Sequence, residues 1–202
     1  LRILAVDEIA IKKGHQYVTV VLDYVSGRVV WVGKERTRET LGSFFASMTQ
    51  EQRQSLEAIA MDMWDPYIHA TKKHVPHVQI VFDLFHVVSS FGKVIDKVRN
   101  AEYRKASKED KDVIKGSKYL LLKNKRNIRK KKHREHLKRL LSLNETINTL
   151  LILKDKLKHI WCYRSRTWAK KTIDEWCLLA KTVNYTVVNK FANMLQRHSY
   201  GI

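Results

Sequence analysis

The chain has 202 residues and a net charge of +19, and 44% of its residues are hydrophobic. That hydrophobic fraction is enough for a packed core and excludes wholesale disorder, while the sequence contains no apolar run of about 18 residues that would predict a membrane span. Its two cysteines, Cys162 and Cys177, are too few for a disulfide framework or a structural zinc site, so we expect both to be small buried residues of a protein in a reducing intracellular setting.

The positive charge is concentrated in one region of the chain. Residues 1–96 carry 11 basic and 11 acidic side chains, residues 97–139 carry 18 basic and 5 acidic, and residues 140–202 carry 10 basic and 4 acidic. A solvated helix face is the usual explanation of a charge run, but it fits a 43-residue block of net charge +13 poorly. We therefore predict a polyanionic partner, and nucleic acid in particular.

The chain begins with strand patterns. Buried or β-branched runs predict strands at residues 1–8 (LRILAVDE), 15–24 and 28–35, and the turn VSG joins the second and third as a hairpin. A helix then follows, with Thr37 as its N-cap and Glu39 in its first turn. The apolar residues of this predicted helix recur at helical spacing: Leu41, Phe44, Phe45 and Met48.

Strands and helices alternate up to about residue 100. Residues 56–62 (LEAIAMD) and 77–83 (HVQIVFD) predict strands. Between them, Asp65 followed by Pro66 predicts an N-cap and first position of a short helix that ends near Lys73. After the second of these strands, apolar residues again follow helical spacing: Val87, Val88, Phe91, Val94, Ile95 and Val98.

The resulting order, β-β-β-α-β-α-β-α, predicts an α/β fold. Three antiparallel strands followed by helix–strand alternation match a ribonuclease H-like mixed sheet (β-β-β-α-β-α-β) with helices on both faces. A doubly wound Rossmann sheet is the alternative, but it would begin βαβ and would carry G-x-G-x-x-G after the first strand, which this chain lacks. We assign residues 1–100 to part of the ribonuclease H-like catalytic core. We assign residues 101–202 to a basic all-α subdomain that is inserted into this core or appended to it.

The second half shows only helical patterns. Its apolar residues approximate a stripe that consists of Leu137, Leu140, Leu141, Ile147, Leu150, Leu151 and Trp161. A second stripe follows at four-residue steps, at Trp168, Thr172, Trp176 and Ala180. We interpret the tryptophans at 161, 168 and 176 as core residues, and stacking on unpaired bases is the alternative. If a helix of this region lay along DNA, ten basic residues would reach phosphates: Lys123, Lys125, Arg126, Arg129, Lys130, Lys131, Lys132, Arg134, Lys138 and Arg139.

Two predicted strands end on an acid. Asp62 follows an apolar run directly, three residues before the predicted cap Asp65, and Asp7 ends the first predicted strand. In the proposed sheet these two strands are neighbours, so the two carboxylates would meet at one edge and repel each other unless a proton or a cation intervened. Mg²⁺ takes one or two carboxylates and keeps positions open for phosphate oxygens, and two such ions about 4 Å apart can activate water or a 3′-hydroxyl.

Two stretches carry a family resemblance: VDEIAIKKGHQYVTVVLDYVSGRVVWV and AMDMWDPYIHATKKHVPHVQIVFDLFHVV. Their ordered set D-E, K-G-H-x-Y, D-x-W and D-x-F-H resembles the catalytic core of bacterial insertion-sequence transposases of the ISL-three type, over most of residues 3–100 and weakly through the basic helices. The resemblance implies a DDE enzyme with two Mg²⁺ (or Mn²⁺) ions that cleaves and joins double-stranded DNA, both transposon ends and target. It also implies a multimer located on the bacterial nucleoid in the cytoplasm.

The resemblance also assigns roles to individual residues. Asp7 resembles the first acid of the triad and Asp62 the second. Asp83 and His86 resemble a D-x-x-H signature of related transposases, which makes Asp83 the runner-up for second metal ligand and His86 a group that orients a carboxylate or the scissile phosphate. Glu8 is a candidate supporting group, with an exposed strand-end acid as the alternative.

The third acid of the family does not match. The family carries it as Glu in E-x-x-N-x-x-K after the helical insertion, and the last glutamate here, Glu175 in TIDEWCLLA, lacks that context. Since the chain also opens within a strand without Met, we expect a fragment that is inactive alone. The alternative is a non-catalytic nucleic-acid-binding module with structural acids. A nuclease of the same fold is a third interpretation, against which the basic helices argue.

Overall fold

A computed structural model of the protein describes residues 1–12 and 16–202. The K-G-H part of the K-G-H-x-Y motif and the first residue of the second predicted strand lie outside these ranges. The chain divides into two compact units, one formed by Leu1–Val87 with Gly201 and the other by Val88–Tyr200 with Ile202.

The first unit contains a mixed sheet of five strands. The strands are β1 (Ile3–Lys12), β2 (Gln16–Asp23), β3 (Val29–Lys34), β4 (Ala58–Met61) and β5 (Gln79–Phe82). Their order across the sheet is β3-β2-β1-β4-β5, in which β1–β2 and β2–β3 pair antiparallel whereas β1–β4 and β4–β5 pair parallel. The α/β class is therefore confirmed, and the sheet is compatible with a ribonuclease H-like core.

Three helices connect the strands of this unit: α1 (Arg38–Ser47), α2 (Gln50–Gln54) and α3 (Asp65–His74). The N-cap of α1 is Thr37, whose Oγ1 accepts a hydrogen bond from the Thr40 N–H at 3.1 Å, as predicted. The N-cap prediction at Asp65 was wrong. Trp64 occupies the cap position and Asp65 is the first helical residue, where its negative charge still favours the helix N-terminus.

The two faces of the sheet differ in what they contact. Side chains alternate along a strand, and buried residues of one parity on β1, β4 and β5 form the core of this unit: Leu4, Val6, Ile59, Met61, Ile80 and Phe82. Helices α1 and α3 pack on this same face, because Trp31 of β3 lies 5.5 Å from Phe44 and Thr19 of β2 hydrogen-bonds to Tyr67 at 2.7 Å. Small residues of the other parity, Ala5 and Ala60, occupy the opposite face.

The helices after β5 are α4 (Leu84–Lys105), α5 (Lys108–Ile114), α6 (Lys118–Leu122), α7 (Lys131–Leu143), α8 (Glu145–His159), α9 (Arg166–Thr182) and α10 (Thr186–Arg197). Short 3₁₀ turns at Lys125–Asn127, Ile160–Cys162 and Ser199–Gly201 interrupt them. The helical class predicted for the second half is confirmed. Its first apolar stripe extends over two helices, because α7 ends before Asn144, which caps α8 by accepting from the Ile147 N–H at 2.8 Å. Within the described part of the chain, none of the helices combines the length and apolarity needed to cross a bilayer.

Trp176 lies at the centre of the second unit. Its ring is 2% exposed and packs edge-on against Phe91 at 5.2 Å, and its indole N–H donates to the Leu153 carbonyl at 2.8 Å. The core prediction is confirmed for Trp176 but was wrong for Trp168, which is 58% exposed. The buried stripe of α9 keeps Trp176 and Ala180 of the predicted four-residue series but has Ala169 and Ile173 in place of Trp168 and Thr172, because 3.6 residues complete a turn.

The two cysteines occupy different environments. Cys177 is buried, as expected, and burial raises the pKa of its thiol to about 11. Cys162 is exposed, which corrects the expectation that both are buried. It lies in the 3₁₀ turn after α8, where the short turn directs its side chain away from the helical core. Because burial raises its pKa, Cys177 is an unreactive neutral thiol.

A buried cation holds the start of the basic region in place. Lys154 of α8 is 2% exposed, and its Nζ donates to the carbonyl of Leu121 and, at 2.9 Å, to that of Lys123. Burial lowers the pKa of Lys154 to about 8. These bonds serve carbonyls at the end of α6 that have no partner within the helix.

This burial predicts a pH dependence of stability. The unfolded chain holds the Lys154 proton up to its ordinary pKa of 10.5, whereas the folded chain releases it near pH 8. The free energy of unfolding should therefore rise between these pH values, by up to about 3 kcal/mol relative to Lys154→Met. Denaturant titration at both ends of the window measures the difference. Lys156→Met, an exposed change on the same helix, should show no such trend, and a pH-independent difference for Lys154→Met would contradict the assignment.

Candidate functional site

Three aspartates lie on or directly after the adjacent strands β1, β4 and β5. Asp62 and Asp83 directly follow the last residues of β4 and β5, whereas Asp7 lies within β1, which continues to Lys12, so the prediction that Asp7 ends the first strand was wrong. The β1–β4 register pairs Ala5 with Ala60, and continuing it by two residues sets Asp7 beside Asp62. The β4–β5 ladder pairs Met61 with Phe82 and extends to Asp83, whose N–H donates to the Met61 carbonyl at 3.1 Å. We call Asp7, Asp62 and Asp83 the acidic edge.

The strand order and register determine which of these three acids are neighbours. Neighbouring strands lie about 4.8 Å apart, and paired residues of parallel strands face the same side. Asp62 therefore occupies the middle position, next to both Asp7 and Asp83, while Asp7 and Asp83 are separated by the width of a strand. Of the two candidates for second ligand, Asp62 is the immediate neighbour of Asp7.

Backbone groups orient each carboxylate of the acidic edge. Asp7 Oδ1 accepts the N–H of Glu8 at 2.8 Å, Asp62 Oδ1 accepts that of Met63 at 2.6 Å, and Asp83 Oδ1 accepts that of Phe85 at 2.9 Å. Among the residues that the structure describes, these hydrogen bonds fix one oxygen of each carboxylate and leave the other free for a ligand. Asp7 and Asp83 are exposed and Asp62 is partly exposed, so solvent and a ligand can reach all three.

His86 lies beside Asp62. Its Nδ1 is 3.9 Å from Asp62 Oδ1, and its side chain is 26% exposed. This Nδ1 is buried without a hydrogen-bond partner among the residues that the structure describes. A buried polar atom without a hydrogen-bond partner is costly. His86 Nδ1 would gain such a partner if Asp62 moved closer or if a ligand entered the site.

Glu8 points away from the acidic edge. It pairs with Thr19 in the sheet, on the face covered by α1 and α3, and Glu8 Oε1 accepts from Arg36 Nη1 at 3.1 Å. Its side chain is only 20% exposed, so the interpretation as an exposed strand-end acid was wrong. Glu8 holds Arg36, whose guanidinium lies 4.3 Å from the centre of the Tyr17 ring and 4.9 Å from that of Trp64.

Sequence reasoning missed the position of Arg36. Trp64 donates its indole N–H to the Arg36 carbonyl at 3.2 Å. This hydrogen bond connects the loop after β3 to the residue that precedes α3. Cation–π contacts of this kind favour a guanidinium at a fixed place. The D-x-W motif was the available signal, but a motif does not reveal which cation a tryptophan will contact.

Tyr67 lies beneath this group. Burial raises the pKa of its hydroxyl, and the negative charges of Glu8 and Asp7 act in the same direction, whereas its hydrogen bond with Thr19 opposes them. The fully buried Tyr67 supports the middle of the sheet from the α3 side, through its hydrogen bond to Thr19, which pairs with Glu8 of β1. It therefore contributes to the position of the acids without facing solvent.

The donor set of the acidic edge suits a hard cation. In residues 1–12 and 16–202, no three side chains of the His, Cys, Asp or Glu type converge into a metal-binding group. Mg²⁺ does not need such a cage, since it binds through one or two carboxylates and completes its octahedron with water or phosphate oxygens. Two adjacent aspartates at a solvent-accessible edge match that requirement.

The basic segment, residues 123–139, exposes all ten of the predicted DNA-contacting side chains. They do not lie on one helix, which corrects the expectation. The first five precede α7, in the loop that includes the 3₁₀ turn Lys125–Asn127, and the other five lie on α7 itself. Two of them form ion pairs, Lys125 with Asp155 at 3.3 Å and Lys131 with Glu135 at 3.9 Å. Lys154 fixes the chain at the start of this loop through the carbonyls of Leu121 and Lys123.

Comparison with known proteins identifies similar chains. The family model of ISL-three transposases, described as "Transposase", matches residues 4–202. The transposase for insertion sequence element IS1001 of Bordetella parapertussis is 37% identical over 202 residues, which cover 98% of this chain and 50% of that protein. The transposase for insertion sequence element IS1557 of Mycobacterium tuberculosis is 24% identical over 225 residues, covering 100% of this chain and 50% of that protein. The chain spans about half the length of the curated relatives it matches.

Proposed function

The chain belongs to the ISL-three family of insertion-sequence transposases, and from this membership and its acidic edge we propose that it supplies two acids of a DDE site for DNA strand cleavage and strand transfer. Asp7 is the first acid and Asp62 the second. The observation that carries the proposal is the parallel β1–β4 register, which pairs Ala5 with Ala60, two residues before Asp7 and Asp62.

The side chains of the chain have distinct tasks in this proposal. Asp7 and Asp62 would hold the cation, and Asp83 is the alternative ligand. When bound, Mg²⁺ or Mn²⁺, with two ions in the complete site, would supply activation of the attacking water or hydroxyl and charge stabilisation for an in-line displacement at phosphorus. His86, 3.9 Å from Asp62, orients that carboxylate or the scissile phosphate through its unpaired Nδ1.

The basic segment is the proposed contact to double-stranded DNA, at transposon ends and at the target. Ten exposed cations there can replace counterions along a phosphate backbone, which provides affinity without sequence reading. The relatives are described as transposases of insertion sequences, and an enzyme that joins two ends functions as a multimer in our proposal. We also propose a location on the nucleoid in a bacterial cytoplasm, because the relatives are from bacteria and the proposed partner is DNA.

Metal binding tests the acidic edge directly. We expect the 202-residue chain to bind Mn²⁺ weakly, and Asp7→Asn or Asp62→Asn to lower that affinity at least about tenfold, because each removes one of two charged ligands. Electron paramagnetic resonance of free Mn²⁺ measures the affinity. Asp65→Asn is the matched control, since Asp65 is exposed three residues from Asp62 at the start of α3.

Two outcomes would contradict the proposal. If the Asp65 variant loses as much affinity as the Asp62 variant, the ion binds diffusely to exposed acids. If neither Asp7 nor Asp62 matters, the strand-end acids are structural, and a non-catalytic nucleic-acid-binding module becomes the better description. A larger effect of Asp83→Asn than of Asp62→Asn would exchange those two roles.

The proposal also includes inactivity of the chain by itself. The glutamate context that the family uses for its third acid does not match Glu175, so this chain supplies two of the three acids. We expect it to bind DNA and Mn²⁺ without joining strands. Strand transfer by the 202-residue chain that Asp62→Asn abolishes would contradict this part alone.

A further inference from the structure

We propose that Phe85 and Trp64 form a stacking platform for unpaired nucleobases beside the acidic edge, so that the site takes DNA whose strands are locally separated. This inference rests on the proposed function and names the structure of its substrate. Its first observation is a repeated spacing: Asp62 and Asp83 are each followed, two residues later, by an exposed aromatic residue.

Phe85 is the more exposed of the two aromatics. It is 71% exposed although it lies in the first turn of α4, whose later apolar residues are buried. Its backbone N–H donates to Asp83 Oδ1 at 2.9 Å, and its ring centre lies 5.6 Å from that of His86. Since His86 Nδ1 is 3.9 Å from Asp62 Oδ1, the Phe85 ring is contiguous with the acidic edge.

Trp64 lies directly before α3, two residues after Asp62 of the acidic edge. It is 37% exposed, and its indole is held by the Arg36 carbonyl and by the Arg36 guanidinium at 4.9 Å. A ring fixed in this way loses little conformational freedom when a flat ligand stacks on it, which favours binding. The acidic edge is thus followed by the exposed ring of Phe85 at the start of α4 and by the ring of Trp64, which Arg36 fixes, before α3.

The proposed chemistry of the acidic edge indicates which ligand would stack on Phe85 and Trp64. A phosphate that reaches Asp7 and Asp62 brings its own nucleotide with it, and the base of that nucleotide lies close to the acids. In an intact duplex both faces of a base are already stacked on their neighbours, so neither is available to a side chain. An unpaired base offers a π-face, and stacking it on an aromatic ring is worth about tenfold in affinity. Such stacking does not depend on sequence, because every base has a π-face.

The experiment compares two DNA molecules of the same sequence, a fully paired duplex and a duplex with a short mismatched bubble that contains the fluorescent base 2-aminopurine. We expect the 202-residue chain with Mg²⁺ to bind the bubble about tenfold more tightly than the duplex and to quench its fluorescence by stacking. Phe85→Ala should bring bubble affinity to the duplex level, abolish most of the quenching and leave duplex affinity unchanged. Phe85→Tyr should retain both the preference and the quenching.

Tyr24→Ala provides the matched control. Tyr24 is 64% exposed and follows β2 at the opposite end of the same sheet, where its N–H donates to the Ile3 carbonyl. It should change neither affinity. The platform is overturned if Phe85→Ala lowers both affinities equally or leaves the bubble preference intact, or if Phe85→Ala changes only self-association. Failure of the wild-type chain to bind either DNA would instead remove the proposed DNA function, and the platform with it.

Discussion

Replacement of Lys130 and Lys131 by glutamate is expected to lower the affinity for duplex DNA about a hundredfold near 0.1 M salt. Both residues are exposed, at the point where the loop of the basic segment enters α7. Each neutralised phosphate contributes about 0.9 to the slope of log affinity against log salt, so two lost contacts lower the slope by about 1.8. Repulsion by the new carboxylates adds to the loss. Fluorescence anisotropy over a range of salt concentrations measures both quantities.

A second charge reversal separates contact from net charge. Lys170→Glu with Lys171→Glu on α9 changes the charge of the same unit by the same amount, and both residues are exposed. This control should weaken binding far less and should leave the salt slope near that of the wild type. Equal losses in the two double variants would mean that overall charge, and not the basic segment, determines the affinity.

Replacement of Trp176 by alanine is expected to lower the free energy of unfolding by about 3–5 kcal/mol. The change empties the centre of the second unit, removes the edge contact with Phe91, and leaves the Leu153 carbonyl without its 2.8 Å indole donor. Denaturant titration followed by circular dichroism measures the loss. Because the side chain is 2% exposed, DNA affinity of the remaining folded molecules should not change.

Leu178 is the matched control for this variant. It lies two residues further along α9 and is 68% exposed. Leu178→Ala should change stability by no more than about 0.5 kcal/mol, as surface substitutions do. Similar losses at the two positions, or a loss of DNA affinity in folded Trp176→Ala, would contradict the core assignment and support the base-stacking alternative for this residue.

Periodicity was sufficient for most elements of the first unit. The β-branched runs, the helix capped by Thr37 and the apolar series from Val87 to Val98 were predicted with their types and approximate limits, because each element must bury one face at its own period. The short helix α2 (Gln50–Gln54) was not predicted, since none of its residues is buried and no apolar period exists to reveal it.

Other positions depended on long-range contacts that a local pattern does not contain. Asp65 looked like an N-cap, but the cap position belongs to Trp64, whose indole is held by Arg36 from the loop before α1. The burial of Lys154 depends on carbonyls about thirty residues earlier in the chain, to which its Nζ donates. Trp168 and Trp176 have similar local surroundings, and only the packing of Phe91 and Phe191 distinguishes them.

The sequence by itself determined the α/β class of the first unit, the helical class of the second, the concentration of net positive charge in residues 97–139 and the aspartates that follow β4 and β5, because composition, period and spacing are local quantities. Only the tertiary structure decided that Ala5 pairs with Ala60, two residues before Asp7 and Asp62, and that Glu8 faces away to hold Arg36. Strand pairing and face depend on which backbone groups bond across the sheet, and a one-residue shift in that pairing would have put these carboxylates on opposite sides.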